Sequence, residues 1–527
     1  MMLNTTTILY VLTATLVARL LLLLYQQLSS PLRRIPGPFW TRFTRAWYFW
    51  RVLKGQFEQD NISLHKQYGP IVRLAPGWYS CNSTDALKKI YAPGSKFTKS
   101  NWYDGWRHPH PSQWTLFTDK NNTRHGLYKS VVSVLWSVLT KVIGEAKKRF
   151  SALYSLSSLV SYEPFADRCV DLFLDRLREF SHSGTEIDLG YWMQCYTFDV
   201  IGCITYGERY GMKICHPLLP DYLTLAIGFL DKGQDIQGAI QAVGSIGPFS
   251  TLMGIYSEWY PLAFKLNGYL NGSGTGGRTF VTNFAREKIE KHKQEQQEEH
   301  LGKGGDVKIL DRDGISREPF MTKMIRSHRQ DPEKVTDYHL FMVAQMNVIA
   351  GFDTTAISLT ATMYHLLKTP RVLQKLRDEI NAARASGKLA DNGRINFHES
   401  QDLLYFKAVV KEALRVHSAT GLPLWRVVPE GGVDVEGIHF PEGTVLGANS
   451  WVSHYNEDVF TNPTEFQPER WIDQDEVKLK AMNELYMPVS PSPKHQYIGW
   501  MLMIVISLAS ALEHVLDDTF RHWKCQN

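Results

Sequence analysis

Charge of one sign is what this chain lacks most plainly: 58 lysines and arginines face 53 acidic residues, a net +5 over 527 residues. With so small a basic surplus, nothing suggests nucleic acid as a partner. Cysteine is scarce as well. The six present (Cys81, Cys169, Cys195, Cys203, Cys215, Cys525) show neither a zinc spacing nor the framework of a small disulfide domain. They read as buried thiols of a reducing compartment. Internal repeats are absent, and so is any long polar linker that would divide the chain into equal parts. What remains is 44% hydrophobic and 12% aromatic, ample for one large core.

Residues 8–25 are apolar apart from threonines and Arg19. A membrane-spanning helix needs about 20 residues, so this stretch is just long enough. No small-residue cleavage site follows, which argues against a removed signal. Arg33 and Arg34 come next, then Pro31, Pro36 and Pro38 with Gly37 make a stiff exit. The expectation is an uncleaved single-pass anchor over 1–28, with a peripheral hairpin as the weaker alternative, and a Pro-rich hinge over 29–40. The positive flank places the rest in the cytosol.

Downstream, a turn and short strand at 69–74 pair with 78–82, and a helix capped by Ser83 or Thr84 covers 84–91. Residues 101–117, rich in Trp, His and Pro, read as a long loop. Helical patterns dominate 125–266, while 267–277 and 294–314 read as surface connections. Amphipathic helices are expected over 370–384 and 397–416, then short strands over 427–447. The sum is mostly α with a small β portion.

The segment 338–367 stands apart. It carries one formally charged residue, Asp353, and no proline, and apolar residues occupy nearly every face, as in a helix buried all round. At about 1.5 Å per residue it would run roughly 45 Å. Gly351 permits close approach to the backbone, and the acid–alcohol pair Asp353-Thr354 follows at once. A lone carboxylate in such surroundings is hydrogen-bonded, protonated or in use; threonines bonding back to their own turn are the structural alternative. Further on, Glu412 and Arg415 lie three apart on one helical face, placed to pair.

Three motifs therefore follow in order: Ala350-Gly351-Phe352-Asp353-Thr354-Thr355, then Glu412-Ala413-Leu414-Arg415, then Phe466-Gln467-Pro468-Glu469-Arg470-Trp471. With the apolar N terminus and Pro-Gly-Pro, this order resembles the cytochrome P-450 superfamily of haem–thiolate monooxygenases. The likeness covers about residues 30–486 and extends to fungal microsomal members of the pisatin demethylase-like group. It includes Tyr68-Gly69-Pro70-Ile71-Val72-Arg73-Leu74-Ala75-Pro76, Gly94-Ser95-Lys96-Phe97 and Val428-Pro429-Glu430-Gly431-Gly432. The implied fold is that of cytochrome P-450 with an N-terminal transmembrane helix, a monooxygenase domain over 41–486, and an altered or truncated C-terminal part over 487–527.

The resemblance also implies roles. Glu412, Arg415 and Arg470 would be the triad that holds the haem side of the core. Asp353 and Thr354 would deliver the protons that O–O cleavage requires. Arg426 matches a residue that pairs with a haem propionate, as do His125 and Lys129, with an ordinary surface cation as the alternative for each. Haem would be the cofactor, with electrons from NADPH through a membrane-bound reductase. The substrate would be a hydrophobic small molecule, held by the loop 101–117 and the helices of 218–259. The implied location is the endoplasmic-reticulum membrane, with the catalytic part facing the cytosol, and the implied setting is fungal secondary metabolism or detoxification.

Two stretches depart from the family. Its defining loop is Phe-Gly-x-Gly-x-Arg-x-Cys-x-Gly, whose cysteine thiolate ligates the iron. Here it reads Ser490-Pro491-Ser492-Pro493-Lys494-His495-Gln496-Tyr497-Ile498-Gly499. Tyr497 stands where cysteine belongs, Pro491 and Pro493 replace the glycines, and Cys525 is a poor substitute. Residues 500–527 are too few for the helix and hairpin that normally close the fold. Separately, deleting Ser130 to Lys147 would join Lys129 to Lys148 in a run that reads like the family's basic helix. Both departures read as a retained intron and a frame or splice error from about Met487. Real divergence, in a catalytically inactive relative with at most a binding role, is the other reading.

Overall fold

The computed structural model describes residues 10, 13–15, 17–18, 21, 25, 29–107, 115, 117–120, 158, 160–209, 212–214, 225–270, 277–300 and 318–488, less 93, 334 and 391–394. Residues 130–147, expected to be an insertion, and 490–499, expected to be the ligand loop, lie outside them, as do His125, Lys129 and Tyr497.

In chain order the elements begin with a 3-10 turn Phe39–Arg42, α1 (Ala46–Leu53), α2 (Phe57–Tyr68), β1 (Ile71–Ala75), β2 (Trp78–Cys81), α3 (Thr84–Tyr91) and β3 (Thr98–Lys99). A 3-10 helix Asn101–Trp106 precedes α4 (Glu163–Ser183), α5 (Leu189–Tyr206), β4 (Met212–Ile214), β5 (Leu225–Ile227) and α6 (Phe229–Lys232). Then come α7 (Ala239–Ile255), α8 (Tyr260–Leu270), α9 (Gly277–His300), α10 (Phe320–Gln330), α11 (Asp337–Gly351), α12 (Asp353–Lys368) and α13 (Pro370–Ala385). The last are α14 (Phe397–Ser400), α15 (Leu404–Val416), β6 (Arg426–Val427), β7 (Val433–Val435), β8 (Ile438–Phe440), β9 (Val445–Gly447), α16 (Ser450–His454), a 3-10 turn Pro468–Trp471 and α17 (Glu476–Leu485).

The helices form one body around a core drawn chiefly from α4, α5, α9–α13 and α15. A five-stranded sheet, ordered β1-β2-β9-β6-β3, forms a second and smaller layer. Its one parallel pair is β2 with β9; β6 and β3 run antiparallel, with Lys99 opposite Arg426. The mostly-α architecture with minor β content is as expected.

Local chemistry explains the boundaries. Ser83 caps α3, its hydroxyl accepting from the Ala86 N–H at 3.1 Å, as a side-chain oxygen at that position does. Where one helix was expected over 397–416 there are two. Asn396 and Glu399 close a capping box on α14. Leu403 is then extended, and the Glu379 carboxylate accepts from the Tyr405 and Phe406 N–H groups at 2.7 and 2.9 Å, opening α15 afresh.

The stretch 101–117 also begins with structure rather than loop. Its 3-10 helix lies directly on α7, where Gly105 and Gly254 meet: a Cβ on Gly105 would fall against the Ser250 carbonyl and 2.7 Å from the Gly254 nitrogen. Arg278 of α9 donates to the Trp106 and Gly105 carbonyls at 2.6 and 3.1 Å and holds that turn in place. Both obstacles to a Cβ are backbone and cannot swing aside. Gly105→Ala is expected to cost about 1–3 kcal/mol, read as a lower denaturation midpoint and faster proteolysis at 101–107.

The expected N-terminal transmembrane helix is corrected. Among the described residues the one helix long and apolar enough to cross a membrane is Asp337–Lys368, in mid-chain, with more than half of its apolar window buried in the domain. Length and apolarity are shared by core helices and membrane spans, and periodicity cannot separate them; here that combination marks the core helix.

Candidate active site

The centre is the join between α11 and α12. The two are separated only by Phe352 (φ −75°, ψ −69°). Its fully buried ring lies 4.1 Å, centroid to centroid, from Phe198 of α5. Asp353 and Thr354 open the helix beyond this break. The Asp353 carboxylate accepts from Gln194 Nε2 of α5 at 3.4 Å. Burial pushes its carboxyl above the usual carboxylate range, against the pull of that one amide. The Thr354 hydroxyl donates to the Ala350 carbonyl at 2.6 Å, so its proton is committed and it faces other groups as an acceptor.

Because the folded value of Asp353 lies above the unfolded one, ionising it costs stability. Its favourable contribution is complete below the unfolded value and is lost as pH rises through the folded one. Asp353→Asn should therefore be more resistant to urea than wild type at neutral pH, the two midpoints converging on acidification. Urea midpoints of both chains across pH check this.

The second cluster is buried completely. Glu412 of α15 accepts from Arg415 Nε and Nη2 at 2.9 and 2.8 Å, from Arg470 Nε at 2.9 Å and from Trp471 Nε1 at 2.9 Å. The Gln467 N–H adds a further bond at 3.0 Å. Arg415 also donates to the carbonyls of His454, Pro463 and Glu465, and Arg470 to those of Thr461 and Asn462. One carboxylate thus orders two guanidiniums, and these gather the loop 454–467.

His454, missed in the sequence, completes the cluster. Its Nδ1 bonds the Arg415 carbonyl at 3.0 Å, and the Met487 N–H donates to its Nε2 at 2.9 Å. These partners require a neutral ring with the proton on Nδ1. Burial, then the neighbouring Arg415, depress its pKa to about 3.

Arg426 stands apart, on the sheet. It donates to the Tyr103 hydroxyl at 2.7 Å and to the Trp425 carbonyl at 3.0 Å. Its guanidinium sits 5.3 Å from the Tyr91 and Tyr103 ring centres. The strand register sets a second cation, Lys99, directly opposite it. That pairing is a contact across sequence, and no local pattern announces it.

These residues suit a haem on two sides only. The helix break, with its acid and alcohols, suits the oxygen-facing side. There the Thr355 hydroxyl is buried with no hydrogen-bond partner. The cations Arg426 and Lys99 suit the carboxylate-bearing edge. The axial thiolate has no match among the described residues: Cys81 lies in β2, and Cys169, Cys195 and Cys203 lie in α4 and α5. Burial pushes the Cys81 and Cys195 thiols up to about 12, far from thiolates.

The profile of the cytochrome P450 family matches residues 144–490 of the chain. The chain belongs to the cytochrome P450 family. Relatives of this P450 include two pisatin demethylases of Fusarium vanettenii. One is 30% identical over 468 residues, covering 88% of this chain and 79% of the relative. The other is 31% identical over 473, covering 88% and 81%. Cytochrome P450 monooxygenase gsfF of Penicillium aethiopicum is 29% identical over 494 residues, covering 91% and 87%. The chain is thus classed with fungal P450 monooxygenases, enzymes of a haem-dependent family with a role in secondary metabolism. The match opens at residue 144 and closes at residue 490.

Proposed function

We propose that this P450 is a monooxygenase that inserts one oxygen atom from O2 into a hydrophobic small molecule, and that its proximal loop is altered in the chain as it stands. The family match over 144–490 carries this reading. Residues 41–486 serve as the monooxygenase domain, at the endoplasmic-reticulum membrane and on its cytosolic side. Electrons come from NADPH through a membrane-bound reductase. Bound haem supplies the reductive splitting of dioxygen.

Each residue has a stated task. Asp353 takes up and releases the proton, its raised carboxyl pKa bringing it nearer to working pH. Thr354, its own proton held by Ala350, accepts at Oγ. Arg426, with His125 and Lys129, would hold the haem propionates. Glu412, Arg415 and Arg470 touch no substrate; they position the loop that leads to the proximal side. Trp106 and Phe117, packed edge to face on each other and backed by the buried Trp102 and Tyr103, offer the aromatic surface for an apolar substrate.

One observation favours a second reading, a catalytically inactive relative with a binding role: no cysteine stands between Cys215 and Cys525. Sequencing the transcript across the codons for 129–148 and 486–527 decides between them. A message lacking the insert and carrying a cysteine-bearing loop supports the monooxygenase. A message that encodes the chain as it stands overturns it in favour of the second reading.

A further inference from the structure

Asp199 of α5 is a buried carboxylate that the candidate site does not use. Its side chain is 0% exposed. Oδ1 accepts from the Phe229 N–H and Oδ2 from the Leu230 N–H, both at 3.1 Å. The Arg209 guanidinium stands 4.0 Å away and bonds Asp231 at 2.6 Å. Backbone covers the carboxylate: a Cβ on Gly228 would fall against Oδ2 and 2.6 Å from Oδ1. The segment clipped down in this way, 228–233, holds the single turn of α6 and leaves it through Gly233 at φ 58°.

Its place on α5 gives this clip a reach. Phe198, the residue before Asp199, stacks on Phe229 at 4.9 Å and lies 4.1 Å from Phe352, centroid to centroid. One ring thus stands between the clipped segment and the α11–α12 break. Close-packed side chains pass a displacement on.

A carboxylate withdrawn from water and met chiefly by two amide N–H groups is poorly compensated as an ion. Burial pushes the Asp199 carboxyl up to about 7, outweighing the Leu230 N–H, Arg209 and the Phe229 N–H, and Asp231 adds to the rise. The thiols of Cys169 on α4 and Cys195 on α5 also feel its charge. Other groups around α5 have partners of their own: Lys288 and Lys291 of α9 bind Glu208, Lys323 of α10 the Tyr162 hydroxyl, and Asp353 of α12 Gln194. From α11 comes the uncharged Asn347, donating to Thr205.

Lifting 228–233 would admit water to Asp199 and return its carboxyl to the ordinary range. The covered state has the raised value, so it holds the proton, and its advantage is lost as pH rises through about 7. Opening releases that proton, and rising pH drives it. We propose that Asp199 is a proton-operated latch: protonated, it keeps 228–233 closed on α5; ionised, it lets the segment lift, and Phe198 carries the change to the break at Phe352. The latch belongs to the polypeptide, so its test needs no haem and stands apart from the monooxygenase reading.

Amide hydrogen exchange of the full chain, corrected for the intrinsic rate at each pH, reads the opening constant. At Phe229 and Leu230 it should rise about tenfold per pH unit from about pH 5 to 7 and level off above, while amides in the middle of α4 keep theirs. Asp199→Asn cannot ionise and should give one constant at every pH. Gly228→Ala drives a Cβ against the carboxylate and should leave 229–230 open already at pH 5; it keeps the test should Asp199→Asn not fold. The Ala356 N–H, which donates across the break to the Phe352 carbonyl at 3.1 Å, should follow the segment. Asp353 lies close to it, so the part of its slope that Asp199→Asn removes is the part counted. A wild-type constant that is flat with pH or shared by α4 overturns the latch. So does an unchanged slope in Asp199→Asn, or unchanged protection in Gly228→Ala. An Ala356 slope that Asp199→Asn leaves whole overturns the link to the break.

Discussion

Glu412→Ala is expected to yield chain that no longer folds to a soluble product. The Glu412 and Arg415 side chains are 0% exposed and that of Arg470 is 4% exposed. Removing the carboxylate would strand two guanidiniums in the core with no counter-charge. Breaking a buried ion pair from one side costs about 3–5 kcal/mol, and here one residue serves two cations, an indole N–H and a backbone N–H. The loss compares with the whole stability of an ordinary domain, about 5–15 kcal/mol. Damage would spread by a definite route: Arg415 loosens, the carbonyls of 454–465 lose their donors, and His454 releases the Met487 N–H. Glu469→Ala is the control. That carboxylate binds Arg371, Lys375 and the Tyr405 hydroxyl, but both cations are about half exposed and rehydrate when it is lost. It should cost about 1 kcal/mol. Soluble yield and far-ultraviolet circular dichroism of the two variants, side by side, check the contrast. A folded Glu412→Ala chain with Glu469-like loss would refute the hub.

What could be read in the sequence was what local geometry governs. Glu412 and Arg415 pair because helical residues three apart share a face, so their meeting followed from spacing. Arg470 joins them from 58 positions away in sequence, which only the order of motifs could suggest. His454, Lys99 and the carbonyls that Arg415 gathers belong to no period. They depend on where loops return. The break at Phe352 was hidden for a different reason: apolar residues continue straight through it, and the helix parts where the Phe352 ring seats on Phe198. The N-terminal membrane helix, expected over 1–28, failed for a separate reason: length and apolarity alone do not tell a span from a core helix, and among the described residues they fall together at Asp337–Lys368. Asp353 was legible as unusual, one charge in an apolar run, but its amide partner Gln194 lies 159 residues earlier.

Haem added to the purified chain is expected to give a ferrous–CO complex without the strongly red-shifted Soret band that a cysteinate ligand produces. The scaffold reaches the threshold of the ligand loop in good order: the Met487 N–H is held by His454, and the Ser418 hydroxyl donates to the Pro488 carbonyl. No cysteine follows before Cys525; the expected ligand stretch offers Tyr497 and His495 instead. Phenolate and imidazole both ligate haem iron, but neither pushes electron density toward the distal oxygen as thiolate does. The described cysteines offer no substitute. Cys169 and Cys203 face each other, sulfur to sulfur, at 3.8 Å in the helical core, and to reach the iron either would have to leave it. The expected consequence is an ordinary Soret position on CO binding and reductant consumption without oxygenated product. Replacing residues 490–499 with the family pattern Phe-Gly-x-Gly-x-Arg-x-Cys-x-Gly supplies both the thiolate and the glycines that Pro491 and Pro493 displace. That chain should show the red-shifted band. If the unaltered chain shows it instead, the thiolate comes from Cys215 or Cys525, the two cysteines outside the described residues, and Cys215→Ser and Cys525→Ser chains tell which.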